Sequence, residues 1–495
     1  MSELAENNLI LALDIGTSSV RAAAYDASGK RLDETFVKNN RQLHVTDDGG
    51  AEIDAEEALA QIIQAVTDVL ALLKEKAQNI AHVAASCFWH SLVGVDAAGK
   101  ALTPVYGWAD TRSAKFAKSL QEKLDERAFH NRTGCRFHPS YWTAKLLWLK
   151  NTQPQTFANV DKWLSFGDFI ALRLFGEAVA SVSQASGTGL LDVRKCVWDA
   201  ELTEFIGINP EEKLPRLAAD AETFVLNEKY GQRWPSLKSA KWFLSIGDGA
   251  ANNVGANCVT AEKAALMIGT SGAMRVLYAG EPPTEIPFGL WCYRLDRTRA
   301  IIGGALSDGG GLYHWLKDTL KLTDTDDEIE NQIAASTPDC HGLTFLPFLA
   351  GERSINWNPM ARGAILGLSA ATSALEITQA ALEAVAYRFG AIFEELSQIC
   401  STEIIVASGG ALRESPVWTQ IICDCLNKKM TLPEEHEASS RGAILLALEY
   451  TGNISNIADV PMIEGQAFAP NAAKFEIYKQ AKERQEKFYQ LINSD

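Results

Sequence analysis

The stretch LDIGTSSVRAAAYD at residues 13–26 contains the letters IGTS, and the same four letters return in LMIGTSGAMRVLYA at residues 266–279. Each copy follows an apolar run that is typical of a buried strand, and each precedes a second strand-like stretch. The two copies stand about half the chain apart. The sequence therefore predicts one unit of strand, Gly-Thr-Ser turn and strand that is built twice.

Length and composition indicate a globular protein with more than one core. The chain has 495 residues, of which 47% are hydrophobic and 22% are charged, and its formal net charge is −16. A chain of this length exceeds one ordinary hydrophobic core, so we expect at least two. The negative charge repels phosphate backbones and anionic lipid surfaces. We therefore expect neither a nucleic acid nor a membrane as partner.

Cysteine usage and the opening of the chain favour the cytoplasm. The nine cysteines are scattered without a CxxC pair or a histidine at zinc-ligand spacing, which predicts reduced thiols in the core. The opening MSELAENN at 1–8 is polar and acidic where a signal peptide is basic and then apolar. No run approaches the ~20 apolar residues of a membrane span. The predicted location is cytoplasmic, and the oligomeric state is left open, a homodimer included.

Both halves of the chain follow the same order of strands and helices. Residues 8–37 predict a three-stranded meander with DASGK at 26–30 as its tight turn, and Asp54 begins an amphipathic helix with acids in its first turn. A buried strand, IAHVAAS, then leads to Cys87. The second half predicts the corresponding elements, with strands near 264–278 and 300–304, helices near 305–319 and 373–399, a strand at 403–408 and a helix from about 416.

This order of elements predicts two α/β domains and a tail. We place the main boundary close to SIGDGAANN at 245–253, because the second strand and turn unit begins soon after it. The predicted limits are 1–247 for an N-terminal domain, 248–455 for a C-terminal domain and 456–495 for a helical tail packed on the body.

The two Gly-Thr-Ser turns have the composition of phosphate-binding loops. Glycine leaves backbone N–H groups uncovered and the hydroxyls add donors, which together suit phosphate oxygens. The chain has no GxxxxGK[ST] sequence, so these turns differ from a P-loop. Asp14 ends the first strand, where a carboxylate can hold Mg²⁺ or its water ligands, and Met267 stands at the same place in the second copy. Each turn taken alone is equally consistent with an ordinary β-turn.

Two further glycine-rich stretches lie in the second half. IVASGGALRES at 405–415 runs from a strand through Gly-Gly into a helix, which suits contact with the adenosine part of a nucleotide. GGALSDGGGLYHWLKD at 303–318 also opens a helix with glycines. Four such elements that face one cleft would clamp a nucleotide between two domains.

An ordered set of motifs carries a resemblance to a known family. The motifs extend over essentially the whole chain and are DIGTSSVR, SFGDFIALRLFG, SIGDGAA, MIGTSGAMR, GLYHWLKD, LPFLAGERSINWNPMARG and ASGGALRESPVW. In this set the chain resembles the FGGY carbohydrate kinases, which share the ATPase fold of actin, hexokinase and chaperone ATPases. The resemblance implies an α/β fold of two actin-like (ribonuclease H-like) domains that flank a central cleft. It also implies ATP- and Mg²⁺-dependent phosphorylation of a sugar or polyol hydroxyl.

The resemblance implies roles for individual residues as well. Asp14 would hold the metal, and the phosphate and nucleotide contacts would come from Thr17, Ser18, Arg21, Gly269, Thr270, Ser271, Gly310, His314, Gly409, Gly410 and Glu414. Members similar to glycerol kinase carry an amide after the Gly-Gly pair, whereas this chain has Glu414 and Ser415 there. The implied adenine contacts therefore depart from that pattern.

Asp248 in SIGDGAANN matches the catalytic aspartate of the family. Phosphoryl transfer to an alcohol needs a base beside the hydroxyl and charge neutralisation on the phosphate. The glycines on either side of Asp248 allow a substrate to approach closely. An isolated GDG is more often a surface turn, but its position ahead of the second Gly-Thr-Ser turn favours the catalytic role.

Three stretches have the composition of a sugar pocket, namely SCFWHSL at 86–92, YGWADTR at 106–112 and GCRFHPSYWTAK at 134–145. Aromatic faces stack on a sugar while polar tips bond its hydroxyls. Besides Asp248, the predicted substrate residues are Trp89, His90, Asp110, Arg112, His138, Ser140 and Tyr141. For any single aromatic residue or histidine of this set, a packing role in the core is the alternative.

Within the family, TGCRFHPSYWTAKLLWLK, SQASGTGLLD, GTSGAMR and LAGERSINWNPMARG are most similar to the gluconokinase branch, with the xylulokinase branch next. Gluconate is an anion, so its pocket needs cations, and the sequence offers Arg112, Arg136, His90 and His138. The resemblance implies a gluconate kinase, with xylulose, another pentulose or a polyol as the alternative substrate. A nucleotide-gated switch of the actin type is a second alternative. A glycan-binding module is a third, against which the two phosphate turns argue.

Overall fold

The computed structural model describes residues 8–434 and 437–493, so most of the opening MSELAENN lies outside the described residues. Two seven-stranded sheets, one in each half of the chain, form the framework, and helices pack on their faces. This is the predicted α/β architecture of two domains. Within the described ranges, no helix has the length and apolar character needed to cross a membrane.

From residue 8 onward, the described part of the N-terminal half has sixteen strands and ten α-helices, with 3₁₀ helices at Asp33–Thr35, Lys74–Asn79 and Pro235–Leu237. The strands are β1 (Leu9–Ile15), β2 (Ser19–Tyr25), β3 (Val37–Asn40), β4 (His44–Val45), β5 (Ala51–Ile53), β6 (Ile80–Cys87), β7 (Val93–Val95), β8 (Val105–Tyr106), β9 (Lys162–Leu164), β10 (Val179–Ala180), β11 (Leu191–Asp192), β12 (Val197–Trp198), β13 (Arg216–Leu217), β14 (Thr223–Phe224), β15 (Lys241–Phe243) and β16 (Ile246–Gly247). The helices are α1 (Ala55–Leu73), α2 (Ala114–Lys123), α3 (Glu126–Thr133), α4 (Trp142–Thr152), α5 (Pro154–Asn159), α6 (Phe166–Phe175), α7 (Val182–Ser186), α8 (Ala200–Ile206), α9 (Pro210–Lys213) and α10 (Glu228–Arg233).

The N-terminal sheet has the strand order β14-β15-β6-β1-β2-β3, and β16 also pairs with β6. β1 and β2 are antiparallel across the first Gly-Thr-Ser turn, whereas β1, β6 and β15 are parallel. β3 pairs with β2, so the predicted meander is confirmed. β1 is buried along its whole length, as expected for a central strand that is covered on both faces.

The C-terminal half contains the remaining elements, with a 3₁₀ helix at Ile457–Asp459. Its strands are β17 (Lys263–Ile268), β18 (Gly272–Ala279), β19 (Trp291–Asp296), β20 (Arg299–Leu306), β21 (Thr344–Leu346), β22 (Ala364–Leu366), β23 (Ile404–Ser408), β24 (Lys429–Pro433) and β25 (Gly465–Phe468). Its helices are α11 (Asp248–Gly255), α12 (Gly310–Leu320), α13 (Asp326–Ala335), α14 (Ala374–Ser397), α15 (Gly410–Glu414), α16 (Pro416–Leu426), α17 (Ala438–Thr451) and α18 (Ala472–Asn493).

The C-terminal sheet repeats the topology of the first. Its order is β19-β20-β18-β17-β23-β24-β25, with β17 and β18 antiparallel across the second Gly-Thr-Ser turn and β17, β23 and β24 parallel. The run β20-β18-β17-β23-β24 therefore corresponds to β3-β2-β1-β6-β15. The repeated IGTS letters mark a repeated fold, with one turn at the same place in each sheet.

Helices from both halves cover the N-terminal sheet. Asp54 caps α1 by accepting the backbone N–H of Glu57 at 2.8 Å, and the apolar face of α1 packs against β2 and β3. α17 packs against β1 and β6. The sheet is thus enclosed by one helix of its own domain and one from the C-terminal half.

α11 and α17 pack closely against each other between the two sheets. A Cβ atom on Gly442 would lie 1.8 Å from the carbonyl oxygen of Ala251, so only glycine allows the two helices to approach this closely. β16 completes the N-terminal sheet and α11 begins at the next residue. We propose the domain limit at this junction, as the sequence predicts.

The tail contributes a strand as well as the predicted helix. β25 pairs antiparallel with β24 at the edge of the C-terminal sheet, and α18 packs against α14 and α16. The sequence pattern did not predict β25, because three of its four residues are exposed and no alternation marks it.

Two further expectations are corrected by the structure. The helix expected near 305 begins at Gly310, because β20 continues to pair with β18 as far as Leu306. The cysteines are all free, as predicted, but Cys340 is exposed whereas the others are buried.

Candidate active site

The carboxyl ends of β1, β6 and β16 bring two predicted carboxylates together. Asp14 on β1 lies beside Ser86 on β6, and β16 places Ile246 on the other side of Ser86. Asp248 follows β16 directly, so it lies at the same edge of the sheet as Asp14. The predicted metal ligand and the predicted base are therefore neighbours.

The Asp14 carboxylate is buried and oriented by two donors. Ser86 Oγ donates to Oδ1 at 2.6 Å, and Arg21 Nη1 donates to Oδ2 at 3.2 Å. Among the described residues, Asp14 does not belong to a cluster of three ligand side chains. A single oriented carboxylate suits Mg²⁺, which keeps several waters and takes phosphate oxygens as further ligands. The residues present therefore fit the Mg²⁺ that the resemblance implies.

Asp248 is the first residue of α11 and is half-buried. The backbone N–H of Gly249 donates to Oδ1 at 2.8 Å, and the backbone N–H of Trp89 also bonds the carboxylate. Burial raises the pKa of Asp248 to about 6; the Arg275 guanidinium opposes this rise, and the charge of Asp14 adds to it. A carboxylate with this pKa is mostly ionised at neutral pH and can accept a proton from a bound hydroxyl.

Arg275 on β18 faces Asp248 from the C-terminal sheet. Its side chain is buried, Nη2 donates to Asn252 Oδ1 at 3.2 Å, and no carboxylate of the described residues forms an ion pair with it. A Cβ atom on Gly249 would lie 2.5 Å from Arg275 Nη1, so α11 passes close to the guanidinium at this glycine. Arg275 therefore acts on Asp248 through its charge.

A cavity of about 460 Å³ lies beside the second Gly-Thr-Ser turn. The turn is fixed by backbone bonds, in which Gly310 N–H donates to the oxygen of Gly269 at 2.7 Å and Gly309 N–H to that of Thr270 at 3.0 Å. The volume is in the range of small-molecule sites. Ser271 and Gly409 are not among its lining residues. The predicted nucleotide residues that line it are Gly269, Thr270, Gly310, His314, Gly410 and Glu414.

The rest of the cavity wall consists of residues that the sequence did not predict, namely Tyr313, Lys317, Asp326, Ile329, Glu330, Leu382, Ala411, Ser415 and Trp418. Lys317 and Asp326 form an ion pair at 2.8 Å. Glu330 on α13 accepts the Ser415 hydroxyl and, at 3.0 Å, the backbone N–H of Val417. α13 has no glycine motif, so no local signal marked its contribution. Glu414, in contrast, is exposed at the cavity.

The first Gly-Thr-Ser turn is a tight connection in the N-terminal sheet. Gly16 N–H donates to the oxygen of Ser19 at 2.9 Å, Thr17 is half-buried and Ser18 is exposed. Neither hydroxyl residue lines the nucleotide cavity. Arg21 forms an ion pair with Asp14 and, at 3.5 Å, with Glu437 next to α17. This second contact joins the first turn's domain to the C-terminal half.

The predicted sugar pocket has an aromatic wall that both halves of the chain supply. Tyr293 lies with its ring centroid 5.0 Å from that of Trp89, and its hydroxyl is 2.6 Å from the hydroxyl of Tyr141. The Trp357 ring lies 5.4 Å from that of His138. Tyr293 and Trp357 were not predicted, since they come from the second half of the chain. Among the predicted residues, this wall includes Trp89, His90, His138 and Tyr141.

The two pocket histidines are neutral, and their Nδ1 atoms have opposite hydrogen-bonding roles. His90 Nδ1 lies 2.6 Å from the carbonyl oxygen of Gly187, so it carries the proton and leaves Nε2 as an acceptor. His138 Nδ1 accepts the backbone N–H of Ser140 at 3.2 Å, which places its proton on Nε2. Burial lowers the pKa of His90 to about 3 and that of His138 well below its ordinary value. The pair offers one acceptor and one donor to sugar hydroxyls.

The predicted arginines of this region are paired within the protein. Arg112 Nη2 lies 2.5 Å from carboxylate oxygens of both Asp110 and Glu52, and Arg136 pairs with Glu126 at 2.9 Å. These pairs compensate the charges of Asp110, Arg112 and Arg136. Since both histidines are neutral as well, the positive charge that an anionic substrate needs has to come from other residues.

Two basic residues that the sequence did not predict lie near these side chains. Arg353 lies on the loop between β21 and β22, with its guanidinium carbon 5.5 Å from the ring centroid of Trp108. Lys145 on α4 is fully buried, donates to the oxygen of Ser140 at 2.5 Å, and has a pKa lowered by burial to about 7. Ser140 Oγ donates in turn to the oxygen of Trp108 at 2.8 Å. Arg353 belongs to the motif LAGERSINWNPMARG, and membership of this motif was the sequence signal that could have identified it as a site residue.

The fold points to a class of protein, because two actin-like α/β domains with a cavity of about 460 Å³ beside the second Gly-Thr-Ser turn are typical of kinases that act on small molecules. The FGGY family of carbohydrate kinases, N-terminal domain, matches residues 9–235, and the C-terminal domain of the same family matches residues 264–449. The chain belongs to the FGGY family of carbohydrate kinases.

Individual relatives cover nearly the whole chain. A gluconokinase of Bacillus subtilis (strain 168) is 29% identical over 93% of this chain and 91% of its own length. A crystal structure of gluconate kinase from Lactobacillus acidophilus has a TM-score of 0.90 and 25% identity, covering 99% of each chain. A ligand-bound xylulose kinase from the same organism has a TM-score of 0.91, with the same identity and coverage.

Proposed function

We propose that this carbohydrate kinase uses ATP to phosphorylate a sugar acid, with gluconate as the favoured acceptor and Asp248 as the general base. The observation that carries the proposal is the position of Asp248. It lies between the edge of the sheet that holds Asp14 and the pocket wall that begins at Trp89. A hydroxyl bound in the pocket and a phosphate near Asp14 would meet there.

In the proposed reaction, Asp248 accepts the proton of the acceptor hydroxyl while the hydroxyl oxygen forms a bond to the γ-phosphorus. The bond from that phosphorus to the β,γ-bridging oxygen breaks, and ADP carries away its electron pair. The proton on Asp248 then passes to solvent. Asp14 would hold Mg²⁺, which supplies charge neutralisation on the phosphates. His90 and His138 orient the acceptor by accepting from and donating to its other hydroxyls.

One feature of the site favours gluconate over a neutral sugar. Arg353 lies against Trp108, and no carboxylate among the described residues forms an ion pair with it. Gluconokinases are among the relatives at 29% and 28% identity, and glycerol kinases are matched at the same two values. The uncharged histidines and the likeness to xylulose kinases support a pentulose as the second candidate. The cytoplasmic location and the homodimer stay predictions from the sequence.

The proposal is tested by measuring ADP release with a panel of aldonates, pentuloses, hexuloses and polyols. We expect the highest kcat/KM with gluconate and a phosphorylated gluconate as product. Preference for a pentulose would favour the second candidate. If no sugar stimulated turnover, the kinase proposal would fail and the actin-type switch would be supported.

Arg275→Gln is expected to shift the acidic limb of the pH profile toward neutral pH. The rate rises as Asp248 ionises, and its pKa near 6 is lowered by the Arg275 charge, so loss of that charge raises it. A rise of about one unit would lower kcat/KM several-fold near pH 6 and leave it almost unchanged near pH 8. The profile is measured for both proteins under identical ionic strength. An unchanged midpoint would contradict the role of Arg275.

Domain closure is expected when both substrates are bound. The two Gly-Thr-Ser turns belong to separate sheets, so gripping the triphosphate from both sides requires the domains to approach by a hinge. The radius of gyration from X-ray scattering should decrease with gluconate and a non-hydrolysable ATP analogue together. Each ligand alone is the control. An unchanged radius at demonstrated saturation would contradict closure.

A further inference from the structure

Arg353 reaches the acceptor pocket from the loop that joins β21 and β22. The Trp108 face holds its guanidinium on one side. Ser140 Oγ donates to the oxygen of the same Trp108 at 2.8 Å and lies 3.0 Å from His138 Nδ1, which joins Trp108 to the predicted pocket residues. Trp357 N–H donates to the oxygen of Arg353 at 2.7 Å, so the loop folds back and sets Trp357 against His138. The guanidinium is therefore part of the pocket wall.

Among the described residues, Arg353 has no counter-ion. Its Nε atom is buried without a hydrogen-bond partner, and no carboxylate forms an ion pair with the guanidinium. The adjacent Glu352 is already bonded by Arg388 and Tyr489. Arg112 and Arg136 of the same pocket each have a carboxylate partner. Arg353 is thus the arginine in this wall that is left for a ligand.

The surroundings do not compensate its charge. Arg353 is one of the causes that lower the pKa of His90, of His138 and of Lys145, after burial itself. The imidazoles of His90 and His138 are neutral, because burial lowers the pKa of both. A half-buried charge without a partner is costly, and an incoming anion removes that cost. A planar guanidinium on an aromatic face is well suited to bind a carboxylate through two parallel hydrogen bonds.

We propose that Arg353 binds the carboxylate of an aldonate acceptor and is the residue that selects sugar acids over neutral sugars. The inference rests on the proposed function. In the proposed orientation, the carboxylate of the acceptor lies at the loop 347–363 and one of its hydroxyls lies at Asp248. Lys145 donates to the carbonyl oxygen of Ser140 and so helps to fix the Ser140 backbone.

The test compares gluconate with glucitol, in which a neutral CH₂OH group replaces the carboxylate. Arg353→Gln is expected to raise the KM for gluconate about 10- to 100-fold, the usual effect of losing a hydrogen bond between charged groups. The KM for ATP and the basal rate with glucitol should change less than about threefold. Arg353→Lys keeps the charge and should give an intermediate KM, because it cannot form two parallel bonds. Arg362→Gln, on the same loop, is the charge-matched control and should leave all values unchanged.

Each outcome has a distinct meaning. If the unmodified enzyme does not use any aldonate, the proposed function fails and the inference fails with it. If it uses gluconate and Arg353→Gln leaves the KM unchanged, only the assignment of Arg353 is overturned. Equal losses with gluconate and glucitol would also overturn it, since they would indicate a role in packing or on the transferred phosphate.

Discussion

Asp248→Asn is expected to lower kcat by about 10²–10⁴-fold while ATP affinity stays within a few-fold of the unmodified value. The amide keeps the size of the side chain and can still face the hydroxyl, but it cannot accept the proton at neutral pH. The Asp248 carboxylate has a pKa near 6, which makes it a suitable base for this step. Turnover is measured by ADP release and ATP affinity by calorimetry.

The control for this variant is Asp47→Asn, which removes an exposed carboxylate of the N-terminal domain. It should behave like the unmodified enzyme. Turnover of Asp248→Asn within tenfold of normal would contradict the assignment of the base.

Asp14→Ala is expected to lower turnover by about 10²–10³-fold and to raise the Mg²⁺ concentration needed for half-maximal rate. Correct placement of the metal contributes several kcal/mol to the stabilisation of the transition state, and each 1.4 kcal/mol corresponds to about tenfold in rate. The KM for the sugar should change little, because Asp14 lies at the strand edge and does not belong to the aromatic wall. A Mg²⁺ titration of the rate gives both quantities.

Ser86→Ala provides the graded comparison. It removes the donor to Asp14 Oδ1 but keeps the carboxylate, so its effect on the Mg²⁺ dependence should have the same direction and be much smaller. A normal Mg²⁺ dependence in Asp14→Ala would exclude Asp14 as the metal ligand.

The sequence predicted the features that depend on local pattern. The two IGTS copies stood between strand-like runs, and the structure has one antiparallel pair around each, in sheets of equal topology. The sequence singled out Asp14 and Asp248 separately, whereas their proximity is a finding of the structure, in which β1, β6 and β16 end at the same edge of the sheet. Several residues of the glycine-rich stretches line the cavity beside the second Gly-Thr-Ser turn, and their role in nucleotide binding stays a prediction.

Contacts between residues that are far apart in the sequence could not be predicted from local sequence pattern. The sequence does not reveal that Glu52, 60 residues away, pairs with Arg112 while Arg353 has no carboxylate partner among the described residues, since both facts require the folded positions of the carboxylates. The protonation state of His90 could not be predicted from the sequence either, because it is set by burial and by the carbonyl of Gly187. α13 contributed to the nucleotide cavity only through tertiary packing.

The central claim is that the acceptor hydroxyl is activated by Asp248 between the two Gly-Thr-Ser turns. The most direct test is a crystal structure of Asp248→Asn with gluconate and a non-hydrolysable ATP analogue bound together. We expect a gluconate hydroxyl at about 2.6–3.2 Å from the side chain of residue 248, with the terminal phosphate between the turns at 16–18 and 269–271. An acceptor bound away from residue 248, or a triphosphate that touches neither turn, would contradict it.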